Sequence, residues 1–137
     1  MDDIREFPQV LFKTWLCRVV PAMYSNKILA LRLIDIEDGS PIAMATVNLE
    51  EHAHVLLSEM SKGNAILTFV KDYSENEGML KALVDAQVVV DTGIKAPSGY
   101  VEVPVVELAH DKLEKAYLNM LDDALNKDME QKLANIN

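Results

Sequence analysis

An α+β fold is what this chain of 137 residues predicts: a mostly antiparallel sheet with a short capped helix and a long C-terminal amphipathic helix. Three observations carry that expectation. From Val10 to Leu108, short runs rich in β-branched and aromatic residues alternate with turn residues. Ser74 and Glu77 stand at capping-box spacing ahead of an apolar set at Met79, Leu80, Leu83 and Val84. From Asp111 to about Ala134 the chain has neither Pro nor Gly and is rich in strong helix formers. The length favours one domain over 1–137, with a sheet-plus-helix core at 10–108 and the last helix at 109–137.

Val10 to Val20 reads as a first strand that ends at Pro21. Asn26-Lys27 suggests a turn. Ile28 to Ile36 is apolar on both alternating faces and reads as a central strand. Glu37-Asp38-Gly39-Ser40-Pro41 is a turn signal, and Ile42 to Leu49 completes an antiparallel meander. Glu50 to Gly63 suits either a short helix or a loop. Asn64 to Val70 is a further strand, running into the capped helix over Ser74 to Gln87.

Val88-Val89-Val90 favours a short strand, with turns at Asp91-Thr92-Gly93 and Ala96-Pro97-Ser98-Gly99. Tyr100 to Leu108 is the last strand, where Pro104 argues for an edge or a bulge. In the C-terminal helix, Leu113, Tyr117, Met120, Leu121, Ala124 and Leu125 recur at helical spacing, followed by Met129, Leu133 and Ile136. Two placements of this stripe stay open: against the chain's own sheet, or partly against another subunit.

Net charge is −9, which argues against a duplex nucleic-acid binder. The charge is uneven. Residues 1–71 hold seven Lys/Arg against nine Asp/Glu, whereas residues 72–137 hold six against thirteen. A local anion site on the N-terminal half is compatible with that balance; a broad basic stripe is not. No apolar run approaches the ~20 residues that span a bilayer, so no membrane partner is expected. The acidic start Met1-Asp2-Asp3-Ile4-Arg5 does not resemble a signal peptide. With Cys17 alone no internal disulfide forms, and a cytoplasmic setting is expected.

The residue patterns of common enzymes are not found. The five glycines fit neither a P-loop nor a dinucleotide fingerprint, and there is no nucleophile elbow or cysteine cluster. His52 and His54 would share one side of a strand, a weak metal signal with no third ligand fixed. The expectation is therefore a non-enzyme with no cofactor and no metal.

An anion or nucleotide site is the sharper reading. Lys71 flanks the helix start at Ser74, where backbone amides converge to cap the helix or hold an anion. Arg18 and Arg32 lie within strands, and a guanidinium clamps phosphate bidentately. Phe69 and Tyr100 offer faces on which a base can stack, and Asn76 can read a base edge or a ribose. Glu75 and Glu77 count against a phosphate at that spot unless they point away.

Lys71-Asp72-Tyr73-Ser74-Glu75-Asn76-Glu77-Gly78-Met79-Leu80 and Ser98-Gly99-Tyr100-Val101-Glu102-Val103-Pro104-Val105, with Thr92-Gly93 between them, resemble a family of small proteins of phages and mobile elements. The chain is also similar to the phage anti-Thoeris sponges, oligomers that sequester cyclic nucleotide immune signals without cleaving them. That resemblance implies a homo-oligomeric counter-defence protein in the cytoplasm of an infected bacterial host. Its ligand would be a cyclic nucleotide or an ADP-ribose-type molecule. The alternative is an acidic inhibitor that occupies the basic channel of a host nuclease or CRISPR-type complex, using Asp122, Asp123 and Asp128.

Overall fold

A computed structural model describes residues 3–63 and 65–135. Asn64, expected to open a strand, and Ile136, expected to close the C-terminal stripe, lie outside the described residues. The architecture is α+β. One antiparallel sheet has the order β1 (Gln9–Phe12), β2 (Trp15–Met23), β3 (Leu29–Asp35), β4 (Pro41–Met44). A second has the order β5 (Leu67–Phe69), β7 (Val101–Leu108), β6 (Val89–Ser98). Three helices accompany them: α1 (Glu50–Ser61), α2 (Met79–Asp85) and α3 (Asp111–Ala134).

The expected first strand is in fact a hairpin. Lys13-Thr14 turns the chain, Phe12 pairs with Trp15, and Lys13 takes a φ of 57°. Pro21 does not end β2, which continues to Met23. The Val19 N–H donates to the Pro8 carbonyl at 2.9 Å, so the Pro21 nitrogen two residues on faces the same side, past the start of β1. Its missing N–H therefore breaks no ladder bond.

Ile42 to Leu49 is not one strand either. β4 is short, and Ala45 to Val47 cross to the second sheet. Thr46 bridges Val70, and the Lys71 N–H donates to the Ala45 carbonyl at 2.9 Å. The buried Thr68 hydroxyl donates to the Leu29 carbonyl at 2.7 Å, a further tie between the sheets.

The stretch from Glu50 forms a helix, α1. The helix expected over Ser74 to Gln87 is shorter: a 3-10 turn over Ser74–Asn76, Gly78 at φ 97°, then α2. Val88 to Ser98 holds one long strand, β6. The turn expected at Asp91-Thr92-Gly93 is a bulge within it, as pairing jumps from Asp91↔Val106 to Lys95↔Pro104. β7 is central rather than an edge. Pro104 is accommodated because its carbonyl accepts from the Val70 N–H at 3.0 Å, while its absent N–H falls where β5 ends.

Apolar side chains of β1, β2 and β3 form the larger core with Met79 and Leu83 of α2, Val106 of β7, and Leu113 and Tyr117 of α3. A smaller core seats α1 through Ala53 and Leu56 on Phe69, Val103 and Val105. The α3 stripe packs against the chain's own fold over only part of the helix. Its first half packs on β2 and the Tyr117 hydroxyl donates to the Lys27 carbonyl at 2.6 Å, while Leu125, Met129 and Leu133 stay exposed. Among the described residues no helix is long and apolar enough to cross a membrane.

Candidate ligand-binding cleft

Three segments meet around a cleft of about 290 Å³. The β1–β2 turn contributes Phe12, Lys13 and Trp15; β4 contributes Ile42, Ala43 and Met44; the loop after β5 contributes Lys71, Glu75 and Asn76. Two lysines against one glutamate make this lining positive in a chain whose net charge is −9. Trp15 is about half exposed, at 49%.

The floor is pinned from beneath. Asn76 is buried, and its Nδ2 donates to the Met44 carbonyl at 2.6 Å, tying the loop to β4. Asp72 anchors the same loop from the other side: its Oδ1 accepts from the Gly78 and Leu80 amides at 3.1 and 3.0 Å. Asp72, not Ser74, thus serves the start of α2. Ser74 and Glu77 form no reciprocal box. The Glu77 N–H donates to the Ser74 backbone carbonyl at 3.2 Å, and the Asn76 N–H to that of Tyr73 at 3.0 Å. Of the amides expected to await an anion near Ser74, those of Asn76, Glu77, Gly78 and Leu80 are already occupied.

Glu75 organises the charges. Its carboxylate pairs with the Lys71 ammonium, and its backbone carbonyl accepts from Lys13 Nζ at 2.8 Å. The Lys71 hydrogen bond holds the Glu75 carboxyl below the usual carboxylate range, and the Glu75 carboxylate raises Lys71 in turn. The pair is intact at neutral pH and breaks only as pH falls through the lowered Glu75 value. Lys13 Nζ also lies 5.3 Å from the Phe12 ring centre and Lys71 Nζ 5.6 Å from that of Tyr73, within cation–π range. Lys13 and Ser74, both non-glycine residues at positive φ, flank the cleft at 57° and 55°. Such backbone costs of the order of 1–2 kcal/mol per residue and persists where surrounding contacts over-determine it.

Lys71 and Asn76 are thus brought together, with Ser74 on the same loop. The other expected site residues lie elsewhere. Phe69 is fully buried under α1 and offers no face to a base. Arg18 Nη1 donates to the Phe7 carbonyl at 2.8 Å and the Arg5 carbonyl at 3.2 Å, holding the N-terminal segment. Arg32 is exposed on β3 and does not line the cleft; it lies in an adjoining groove that shares Ile42, Ala43 and Met44 with it. Tyr100 stands fully exposed in the β6–β7 turn and does not line the cleft.

His52 and His54 sit on α1, two positions and about 200° apart, so they do not share a face. His52 Nε2 lies 3.0 Å from the Pro97 carbonyl, an acceptor only, which makes Nε2 the protonated nitrogen. Lys13 and Trp15 escaped the sequence reading. The signal was the alternation of Val10 and Phe12 against Leu11, interrupted at Lys13-Thr14, a turn without Gly or Asn.

No family model, curated protein or solved structure matches the chain. The fold and cleft alone define its class: a two-sheet α+β protein with a small cationic, tryptophan-edged cleft.

Proposed function

We propose that this protein binds a small phosphorylated ligand, of the cyclic-nucleotide or ADP-ribose class, and holds it without transforming it. The observation that carries this reading is the convergence of Lys13 and Lys71 on Glu75 beside the exposed Trp15. A ligand phosphate takes the place of the Glu75 carboxylate on Lys71 and gains a charge-assisted hydrogen bond. Trp15 supplies the stacking face first sought in Phe69 and Tyr100, worth about 1–3 kcal/mol for a base. The single carboxylate in the lining is engaged with a lysine, which supports retention over hydrolysis. In an infected bacterial cell, such binding removes an immune signal and amounts to counter-defence by sequestration.

Trp15 is the chain's single tryptophan and reports on the cleft directly. The test titrates cyclic nucleotides and ADP-ribose isomers while following Trp15 fluorescence and thermal melting, then recovers the ligand after heating. Binding to the native state stabilises it by about 2.7 kcal/mol at a hundredfold excess over Kd. The expected result is a fluorescence change, a raised Tm and unaltered ligand. Lys71→Met weakens binding about tenfold or more, and Glu75→Gln tightens it. Silence across the panel overturns the nucleotide reading and favours the acidic inhibitor, for which Asp122 and Asp123 stand exposed on α3. An altered ligand overturns retention.

A further inference from the structure

Two hollows adjoin at β4. One is the cationic cleft. The other is the groove of about 400 Å³ that holds Arg32, Ile34, Gly39 and Pro41. Ile42, Ala43 and Met44 line both, so a single edge strand of four residues lies between them. Arg32 on β3 stands directly opposite Met44 on β4, and such cross-strand side chains lie about 4.5–5.5 Å apart at Cβ. Met44 in turn belongs to the cleft floor, where its carbonyl accepts from Asn76 Nδ2 at 2.6 Å. The Ala45 N–H donates to the Leu31 carbonyl at 2.9 Å, so Met44, the alternate residue, turns its own backbone groups away from β3. A ligand that passes over β4 from the cleft therefore meets the Met44 N–H on its way to Arg32.

Charge and size give the groove a use. Arg32 is exposed and, among the described residues, takes part in no ion pair. No carboxylate lines its groove, although the chain's net charge is −9. Its cross-strand neighbours, Val20 and Met44, are apolar, as are Ile34 and Pro41 beside it. A guanidinium set in apolar surroundings suits a phosphate that carries a base or sugar beside it. Ligand pockets run to about 300–1,000 Å³. The cleft alone, at about 290 Å³, stands at the bottom of that range, and the groove brings the joint site well inside it.

We propose that cleft and groove form one two-part site for a ligand whose two phosphates are set apart by a nucleoside, a dinucleotide rather than a mononucleotide. This inference rests on the ligand-binding reading above and narrows it. One phosphate sits on Lys71 and Lys13, and the base beside it stacks on Trp15. The second phosphate crosses Met44 and takes the Arg32 guanidinium bidentately. The second base lies along Ile34 and Pro41. Arg32 thereby selects for the length of the ligand, whereas Lys71 selects for phosphate alone.

The test titrates cyclic AMP, ADP and cyclic di-AMP, with their guanine counterparts, while following Trp15 fluorescence and thermal melting. ADP has two phosphates but holds them adjacent, so it controls for charge. The dinucleotide of one base series is expected to bind wild type about tenfold or more tighter than the other two ligands of that series. In Arg32→Gln it falls to the affinity of the cyclic mononucleotide, and circular dichroism confirms the fold of this exposed variant. Lys71→Met weakens every ligand that binds. Equal affinity for mononucleotide and dinucleotide overturns the second subsite and leaves the cleft reading standing. So does an Arg32→Gln variant that weakens both alike. A dinucleotide advantage that survives Arg32→Gln overturns the role of Arg32. Silence with every ligand overturns the ligand-binding reading itself, and the subsite with it.

Discussion

Replacing Asp72 by alanine tests how the loop under the cleft is held. One carboxylate oxygen accepts two backbone amides, from Gly78 at 3.1 Å and Leu80 at 3.0 Å. Water can reach the exposed Gly78 amide once the carboxylate is gone, but the half-buried Leu80 amide is less well replaced. Truncating a helix cap costs about 0.5–2 kcal/mol. Two bonds with unequal access to solvent place Asp72→Ala near the upper half, at about 1.5 kcal/mol. In a chain of this length that lowers Tm by about 5 °C. Asp72→Asn keeps an acceptor oxygen and loses about half as much. Ser74→Ala stays within about 0.5 kcal/mol of wild type, because the Ser74 side chain is exposed and bonds nothing. Circular dichroism during thermal and urea unfolding measures all three. If Ser74→Ala loses as much as Asp72→Ala, the capping assignment is wrong.

Two more outcomes follow from the geometry. Thr68→Val removes the buried hydroxyl that donates to the Leu29 carbonyl across the two sheets and costs about 1–2 kcal/mol in urea unfolding; a neutral result would mean that this bond does not couple them. Arg18→Ala frees the Arg5 and Phe7 carbonyls and lowers stability by about 1 kcal/mol, while ligand affinity read from Trp15 fluorescence stays unchanged. Lost affinity in that variant would return Arg18 to the site.

Elements whose evidence is local were legible before any coordinates. α3 follows from a 24-residue segment rich in strong helix formers and free of Pro and Gly, and β3 from a run that is largely apolar on both faces. Both signals act between residues a few positions apart. Where local preference was ambiguous, the sequence misled. Lys13-Thr14 turns a chain that carries β-formers on both sides, because pairing of Val10 with Cys17 and Leu11 with Leu16 favours the hairpin. The bulge at Asp91-Thr92-Gly93 looked like a turn, since glycine at positive φ serves both.

By itself, then, the sequence determined the α+β class, the acidic balance, the amphipathic last helix and the suspicion that falls on Lys71 and Asn76. Tertiary structure alone decided the rest of the site. Phe69 was withdrawn from any ligand by burial under α1, and Arg18 by the backbone carbonyls it holds. Lys13 and Trp15 reached Lys71 across nearly sixty positions of chain, as the 2.8 Å bond from Lys13 to Glu75 records. The physical reason is one of range. Helix and strand preferences are settled by neighbours within a turn or two, whereas a cleft is assembled by the packing of remote segments whose contacts no local pattern encodes.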